Sequence, residues 1–406
     1  MPSLLHAPRF REYAASRVAS GVATALLQAL ILWQVYAISG STLQLGLVGL
    51  VGFVAGLLSS FIGGAVVDSY DRRKILFASQ VVPGVTSLAM LAAIATDQVS
   101  LGLIYAIVLV TGVAASFEYP ARQAILPNVV PRELFVRALT VNSTLNSVSS
   151  VTGPALTGLL VALDGVGLAY AVHAGLVAIA ALMLLPVHVP PTGGVTRLEL
   201  GAIREGLAFV WRRPVLLGAM TLDMFAVMFG GARALLPVYA VSVLHAEAIG
   251  YGILSASLEA GTLVTALILM VLPAVRRTGM VLLVAVAAFG LATILFGVSR
   301  WLPLSVLAYG LVGMADQVSM VMRQNTIQLS TPNALRGRVT GVNSVFISAS
   351  NELGALESGL VAAVTNPVFA VVSGGIGCLV VVALVAWRVP ALRRYCASEF
   401  VPESRG

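Results

Sequence analysis

The chain has 406 residues, 58% of them hydrophobic and only 10% charged, against roughly 25% charged in an average soluble domain. So few ionisable side chains cannot cover a water-soluble globule of 42.1 kDa, which excludes the soluble and disordered classes. The apolar runs are about 20 residues long and do not alternate, as membrane helices require, whereas a membrane barrel is built from alternating segments of about 10.

Apolar runs set against Gly, Pro and charge punctuation predict twelve spans. Six lie near 18–38, 43–67, 75–95, 100–121, 137–163 and 166–187. Six more lie near 214–243, 249–273, 279–298, 302–322, 339–364 and 367–387. Residues 1–187 are expected to form one six-helix bundle. Residues 214–406 are expected to form a second, ending in a cytoplasmic tail. The 188–213 connection carries Pro190-Pro191 and Gly193-Gly194, then a short amphipathic stretch around Leu198–Trp211.

The net charge is +7, with 24 basic residues. They stand in twos and threes between the apolar runs, which points to membrane orientation and away from nucleic acid. With both termini in the cytoplasm, 22 of the 24 lie inside, Arg300 lies outside and Arg233 falls within a span. A multi-pass protein of the inner or plasma membrane is expected, with the lipid bilayer as its surroundings. Arg9, Arg11 and Arg17 lead into a run of full spanning length, unlike a cleavable signal peptide. Cys378 and Cys396 are too few and too differently placed for a disulfide framework.

The two halves repeat. A shift of 201 aligns Arg122-Gln123 with Arg323-Gln324, Pro131 with Pro332, Arg137 with Arg338, and Val141-Asn142-Ser143 with Val342-Asn343-Ser344. Over the 45 residues from Glu118, 14 are identical without a gap, too many aligned polar positions for shared apolar bias. Internal duplication of six-helix halves is the build of a rocking secondary transporter.

Between the second and third spans stands Gly64-Ala65-Val66-Val67-Asp68-Ser69-Tyr70-Asp71-Arg72-Arg73-Lys74. This resembles the Gly-x-x-x-Asp-x-x-x-Arg-Arg-Lys signature of the major facilitator superfamily. Asp71, where Gly is usual, is similar to the variant in the drug:proton antiporter branch that includes the enterobactin exporters. The resemblance implies an all-α fold of twelve transmembrane helices in two pseudo-repeat bundles. It also implies a cytoplasmic gate at Gly64, Asp68, Asp71, Arg72, Arg73 and Lys74, with Glu118, Arg122, Arg323, Arg336 and Arg338 as partners. Gly153-Pro154 and Gly158 are similar to the core of the antiporter motif, whose Gly-Pro kinks the fifth helix. Arg336-Gly337-Arg338 and Asn351-Glu352-Leu353-Gly354 look like the siderophore-exporter group.

A charge inside a span costs about 2.5–3.5 kcal/mol even on the lenient insertion scale. Asp223, Arg233, Glu259, Asp316, Glu352 and Glu357 fall within spans of the second half. Five carboxylates thus face one cation, so several must be protonated, hydrated or paired with something transient. Glu352, nearest mid-span, leads as the coupling residue, followed by Glu259 and Asp316. Hydrogen bonding between helices by protonated acids is the plainer alternative. Asp223 and Arg233 lie roughly 15 Å apart along one helix, so Arg233 is expected to meet a carboxylate from another. Glu118 and Arg122, four apart, read as an intrahelical ion pair. His173, alone among small apolar residues, reads as a satisfied interior histidine.

No Walker loop, zinc-spaced cluster or nucleophile elbow is present, so neither a catalytic residue, a cofactor nor a metal is expected. The resulting expectation is a monomeric, proton-coupled exporter of an amphiphilic small molecule, drug-like or siderophore, and not an enzyme. An importer or facilitator on the same fold, or a non-transporting receptor or lipid-handling protein, are the alternatives.

Overall fold

A computed structural model of the protein describes residues 8–69, 72–186, 200–273 and 275–396. Among these residues all regular structure is helical. The first half has α1 (Pro8–Ser39), α2 (Thr42–Ser69), α3 (Arg72–Ala95), α4 (Leu101–Val129) and α5 (Phe135–Leu184). The amphipathic stretch forms α6 (Leu200–Trp211). There follow α7 (Pro214–Gly230), α8 (Glu247–Val271), α9 (Thr278–Val298), α10 (Leu302–Ser330), α11 (Asn333–Val364) and α12 (Pro367–Arg388).

The helix ends follow from local chemistry. Pro214 and Pro367 open α7 and α12, where a missing N–H costs nothing. The side chains of Ser100 and Asn366 accept from the backbone N–H groups of Leu103 and Phe369, at 3.2 and 2.8 Å. Within α5 the helix breaks at Asp164 and Gly165, the glycine at φ 74°. That left-handed residue separates the two spans expected at 137–163 and 166–187.

The twelve expected spans fall on helix, apart from end residues. Nine helices among the described residues are long and apolar enough to cross a membrane. One correction concerns 214–243, expected as a single span. Helix α7 stops at Gly230 and continues as a 3₁₀ turn (Ala232–Leu235), a short α turn (Leu236–Val238) and a π turn (Tyr239–Val243). The two consecutive glycines, Gly230 and Gly231, and then Pro237 weaken the regular ladder there.

The chain divides into two compact units. Unit 1 comprises residues 1–44, 50–198 and 240–256, and unit 2 comprises 45–49, 199–239 and 257–406. In unit 1, α1 runs along α5, and α3 packs on α4 and α5. The motif glycine Gly153 permits the first contact, since a methyl group there would fall 2.5 Å from Ala25 Cβ. Phe10, Tyr13, Leu76, Ala121, Ile125 and Leu126 fill the core at one end. In unit 2, α7 packs on α11 and α12, and α9 on α10 and α12. The α1–α5 and α3–α4 pairings of unit 1 therefore recur as α7–α11 and α9–α10, matching the 201-residue repeat.

Candidate functional site

The in-span charges of unit 2 are brought together from four elements. Helices α8 and α10 cross closely, because a Cβ on Gly261 would sit 2.0 Å from the Gly310 carbonyl oxygen. Thr262 Oγ1 donates to the Gly313 carbonyl at 3.3 Å across the same crossing. That crossing sets Glu259 of α8 within electrostatic reach of Asp316 on α10. The turn after α7 delivers Arg233, whose guanidinium lies 3.7 Å from Glu259 Oε1. This is an ion pair without hydrogen-bond geometry, and the Arg233 side chain is 54% exposed. Glu352 on α11 also feels the charge of Arg233.

Arg323 Nη1 of α10 donates to Asp223 Oδ2 of α7, both side chains being almost fully buried. Asp316 lies within electrostatic reach of both members of that pair. Contacts and electrostatic reach therefore link Glu352 to Arg233, Arg233 to Glu259, Glu259 to Asp316, and Asp316 to the Asp223–Arg323 pair. Asp316 and Glu352 make no hydrogen bond or ion pair with any described residue, and both are half-buried. Glu357 sits apart, accepting a long 3.4 Å hydrogen bond from neighbouring Ser358.

The charge balance read from sequence needs a correction. Arg323 lies one residue beyond the expected 302–322 span and was expected at the cytoplasmic gate. Helix α10 instead continues unbroken to Ser330, and Arg323 is buried at 5% exposure. Among the described residues, unit 2 thus holds Arg233 and Arg323 as in-helix cations, and Asp223 is neutralised by Arg323. The sequence signal was the aligned pair Arg122 and Arg323, since both are buried.

In unit 1, Glu118 Oε1 accepts from Arg122 Nε at 2.7 Å, Ser20 Oγ at 2.5 Å and Gln80 Nε2 at 2.9 Å. His173 Nδ1 shares a 2.7 Å hydrogen bond with buried Ser87. Arg336 donates to the Gln328 carbonyl at 3.4 Å, and Arg338 pairs with Glu205 of α6. Gly64 and Asp68 lie on α2, and Arg72, Arg73 and Lys74 open α3. Asp71 lies outside the described residues, as do the side chains of the motif from Gly64 to Arg73. Pro154 is inside α5, and Gly158 meets Gly252, where a methyl group would fall 2.7 Å from its Cα. No group of His, Cys, Asp and Glu among the described residues could hold a metal ion.

The arrangement gathers four carboxyl groups and two arginines within the helices of unit 2. The chain is 28% identical to the enterobactin exporter EntS of Citrobacter koseri over 397 residues, covering 98% of this chain and 95% of that protein. It is equally identical to the Escherichia coli O81 enterobactin exporter EntS over 389 residues, covering 96% and 93%. Among solved structures, the nucleoside transporter NupG superposes with a TM-score of 0.71 at 16% identity, covering 96% and 99%. A bacterial homologue of the human lysosomal transporter Spinster, inward-facing and occupied, gives 0.71 at 14% identity, covering 100% and 99%. These structures share the major facilitator fold. Residues 3–404 match the transmembrane secretion effector family, and the chain belongs to that family of multi-pass membrane transporters.

Proposed function

We propose that this protein exports an amphiphilic small molecule, a siderophore or drug-like compound, and couples export to proton entry through alternating access. Near full-length similarity to enterobactin exporters supports the direction and the substrate class. The observation that carries the coupling is the pair of unpartnered half-buried carboxylates, Asp316 and Glu352, beside two arginines that already hold other acids. An ionised carboxylate without a partner is costly at that depth, so each is a natural site for a transient proton.

In this reading protons from outside load Asp316 and Glu352 and favour the resetting conformation, while Glu259 shifts between Arg233 and a proton. The gate motif from Gly64 to Lys74 closes the inside. The two six-helix halves, 1–187 and 214–406, rock about the site as a monomer in the inner or plasma membrane, with both termini cytoplasmic.

The test is ΔpH-driven transport in proteoliposomes of one orientation. Efflux from the cytoplasmic face should rise with an imposed proton gradient. Asp316→Asn and Glu352→Gln should each cut the gradient-driven flux by at least about tenfold while leaving passive exchange. Gradient-independent flux in the parent protein, or full coupling in both variants together with Glu259→Gln, would overturn the reading. Flux in the opposite direction would make the protein an importer.

A further inference from the structure

Three residues of α10 form one polar stripe. Asp316, Ser319 and Arg323 stand at i, i+3 and i+7, within about 60° of arc on the helix. Long side chains on a helix lean toward its N-terminus, so the Arg323 guanidinium projects back along the stripe toward Asp316. Asp223 of α7 holds Arg323 from the side. The charged groups acting on Asp316 are Asp223 from α7, Glu259 from α8 and Arg323 on its own helix. Arg323 is the charged group in direct contact with Asp223, and Asp316 acts on it in return.

Two atoms in this stripe have needs that no described residue meets. Ser319 Oγ and Arg323 Nε are both buried without a hydrogen-bond partner. Their side chains belong to residues only 3% and 5% exposed. They are not obligatory losses of helical geometry, because Thr326 on the same helix satisfies its hydroxyl through the Met322 carbonyl at 2.8 Å. Interiors meet paired demands of this kind with ordered water, which needs a polar site and a few partners. Along the stripe Ser319 comes between Asp316, which has no partner among the described residues, and Arg323, which holds Asp223.

We propose that water held by Ser319 and Arg323 joins Asp316 to Asp223, forming one proton path along α10. This rests on the proton-coupled reading and gives it a route. The O–H bond of protonated Asp316 breaks as its proton passes to the bridging water. That water gives one of its own protons to Asp223 Oδ2, where a new O–H bond forms. Asp316 is left a carboxylate and Asp223 a neutral acid, so the total charge is unchanged. Arg323 then follows the negative charge to Asp316. When Asp223 releases its proton toward the cytoplasm, the original pair re-forms. Ser319 is a positioning residue in this scheme, because it holds the water and is not itself ionised.

The probe is the proton. Full-length protein in liposomes is given a rapid pH step while the carboxyl stretching band is followed by infrared difference spectroscopy, with Asp316→Asn identifying the Asp316 band. Ser319→Ala should slow the loss of that band by about tenfold and leave its midpoint in place. Ser319→Thr, which keeps the hydroxyl, should restore the rate. The double variant Asp223→Asn with Arg323→Gln removes the buried charge pair together, so it should fold, and it should be as slow as Ser319→Ala. Parental kinetics in Ser319→Ala or in the double variant would overturn the path. Absence of an Asp316 band in the parent would remove the proton-coupled reading as well, whereas a parental band and coupled flux with unaffected variants would remove the path alone.

Discussion

Arg122 of unit 1 and Arg323 of unit 2 occupy equivalent places in the repeat, and both are buried. Their counter-charges come from different places. Arg122 is held by Glu118, four residues earlier on the same helix, and that carboxylate is also clamped by Ser20 of α1 and Gln80 of α3. In the second half the repeat places Ser319 where Glu118 stands, and the carboxylate has moved to Asp223 on α7. A pair closed within one helix survives any movement of that helix. A pair bridging two helices is made or broken by their movement. Duplication has therefore left one copy with its ion pair closed within a single helix and the other with a pair that bridges two helices and a free carboxyl beside it.

The largest effect that could break this comparison is removal of the bridging cation. Arg323→Gln leaves Asp223 buried without compensation and should destabilise the protein by about 3–5 kcal/mol. Adding Asp223→Asn should recover most of that loss. Arg122→Gln should cost less, because Ser20 and Gln80 still donate to Glu118. Thermal melts of detergent-solubilised protein with all four variants check the ranking, and equal losses at Arg122 and Arg323 would erase the distinction. Next in size is Gly261→Ala, which puts a methyl group against the Gly310 carbonyl and forces α8 from α10. Overpacking of this kind costs about 1–3 kcal/mol. It should also weaken proton-coupled flux, by moving Glu259 away from Asp316.

Local patterns in the sequence carry the closed pair and the spans, but not the bridging pair. Apolar run length and the Arg bias define the spans, because a helix must satisfy its backbone inside lipid whatever its sequence. The Glu118–Arg122 pair was legible for the same local reason, being set by helical periodicity alone. Arg323 was not, since the hydropathy run ends just before it while the helix continues two more turns to Ser330. Its partner stands 100 residues away on α7, and no periodicity reports that distance. The expectation that Arg233 meets another helix could be reasoned by exclusion, but choosing Glu259 required the α8–α10 crossing and the break after Gly230. Ser319 carries no sequence signal beyond its alignment with Glu118.

A smaller effect sharpens the contrast between those two aligned positions. Ser20→Ala deletes one of three donors to Glu118 and should cost about 1 kcal/mol. Ser319→Ala deletes a hydroxyl that bonds to no described residue, so its stability should stay within about 0.5 kcal/mol of the parent. Guanidinium-free chemical denaturation, followed by tryptophan fluorescence, compares the two. A loss at Ser319 matching that at Ser20 would mean that its hydroxyl is structural.

The smallest stability change should belong to Arg233. Its side chain is more than half exposed and its ion pair with Glu259 is long, so the Coulomb gain is screened by solvent and contributes about 0–1 kcal/mol. An arginine at mid-span facing lipid would be far costlier, and the neighbours that feel its charge, Glu259 and Glu352, lie on α8 and α11. Arg233 thus has exposed surface and two carboxyl neighbours. That separates it from Arg122 and Arg323, whose charges are spent on protein carboxylates within a buried interior. Arg233→Gln should leave the melting temperature within a degree or two of the parent, a shift of that size following from a fraction of a kcal/mol. It should nevertheless lower the affinity for anionic ligands more than for neutral analogues, measured as ligand-dependent thermal shifts on the same preparation. Equal losses for both ligand classes would assign Arg233 to packing.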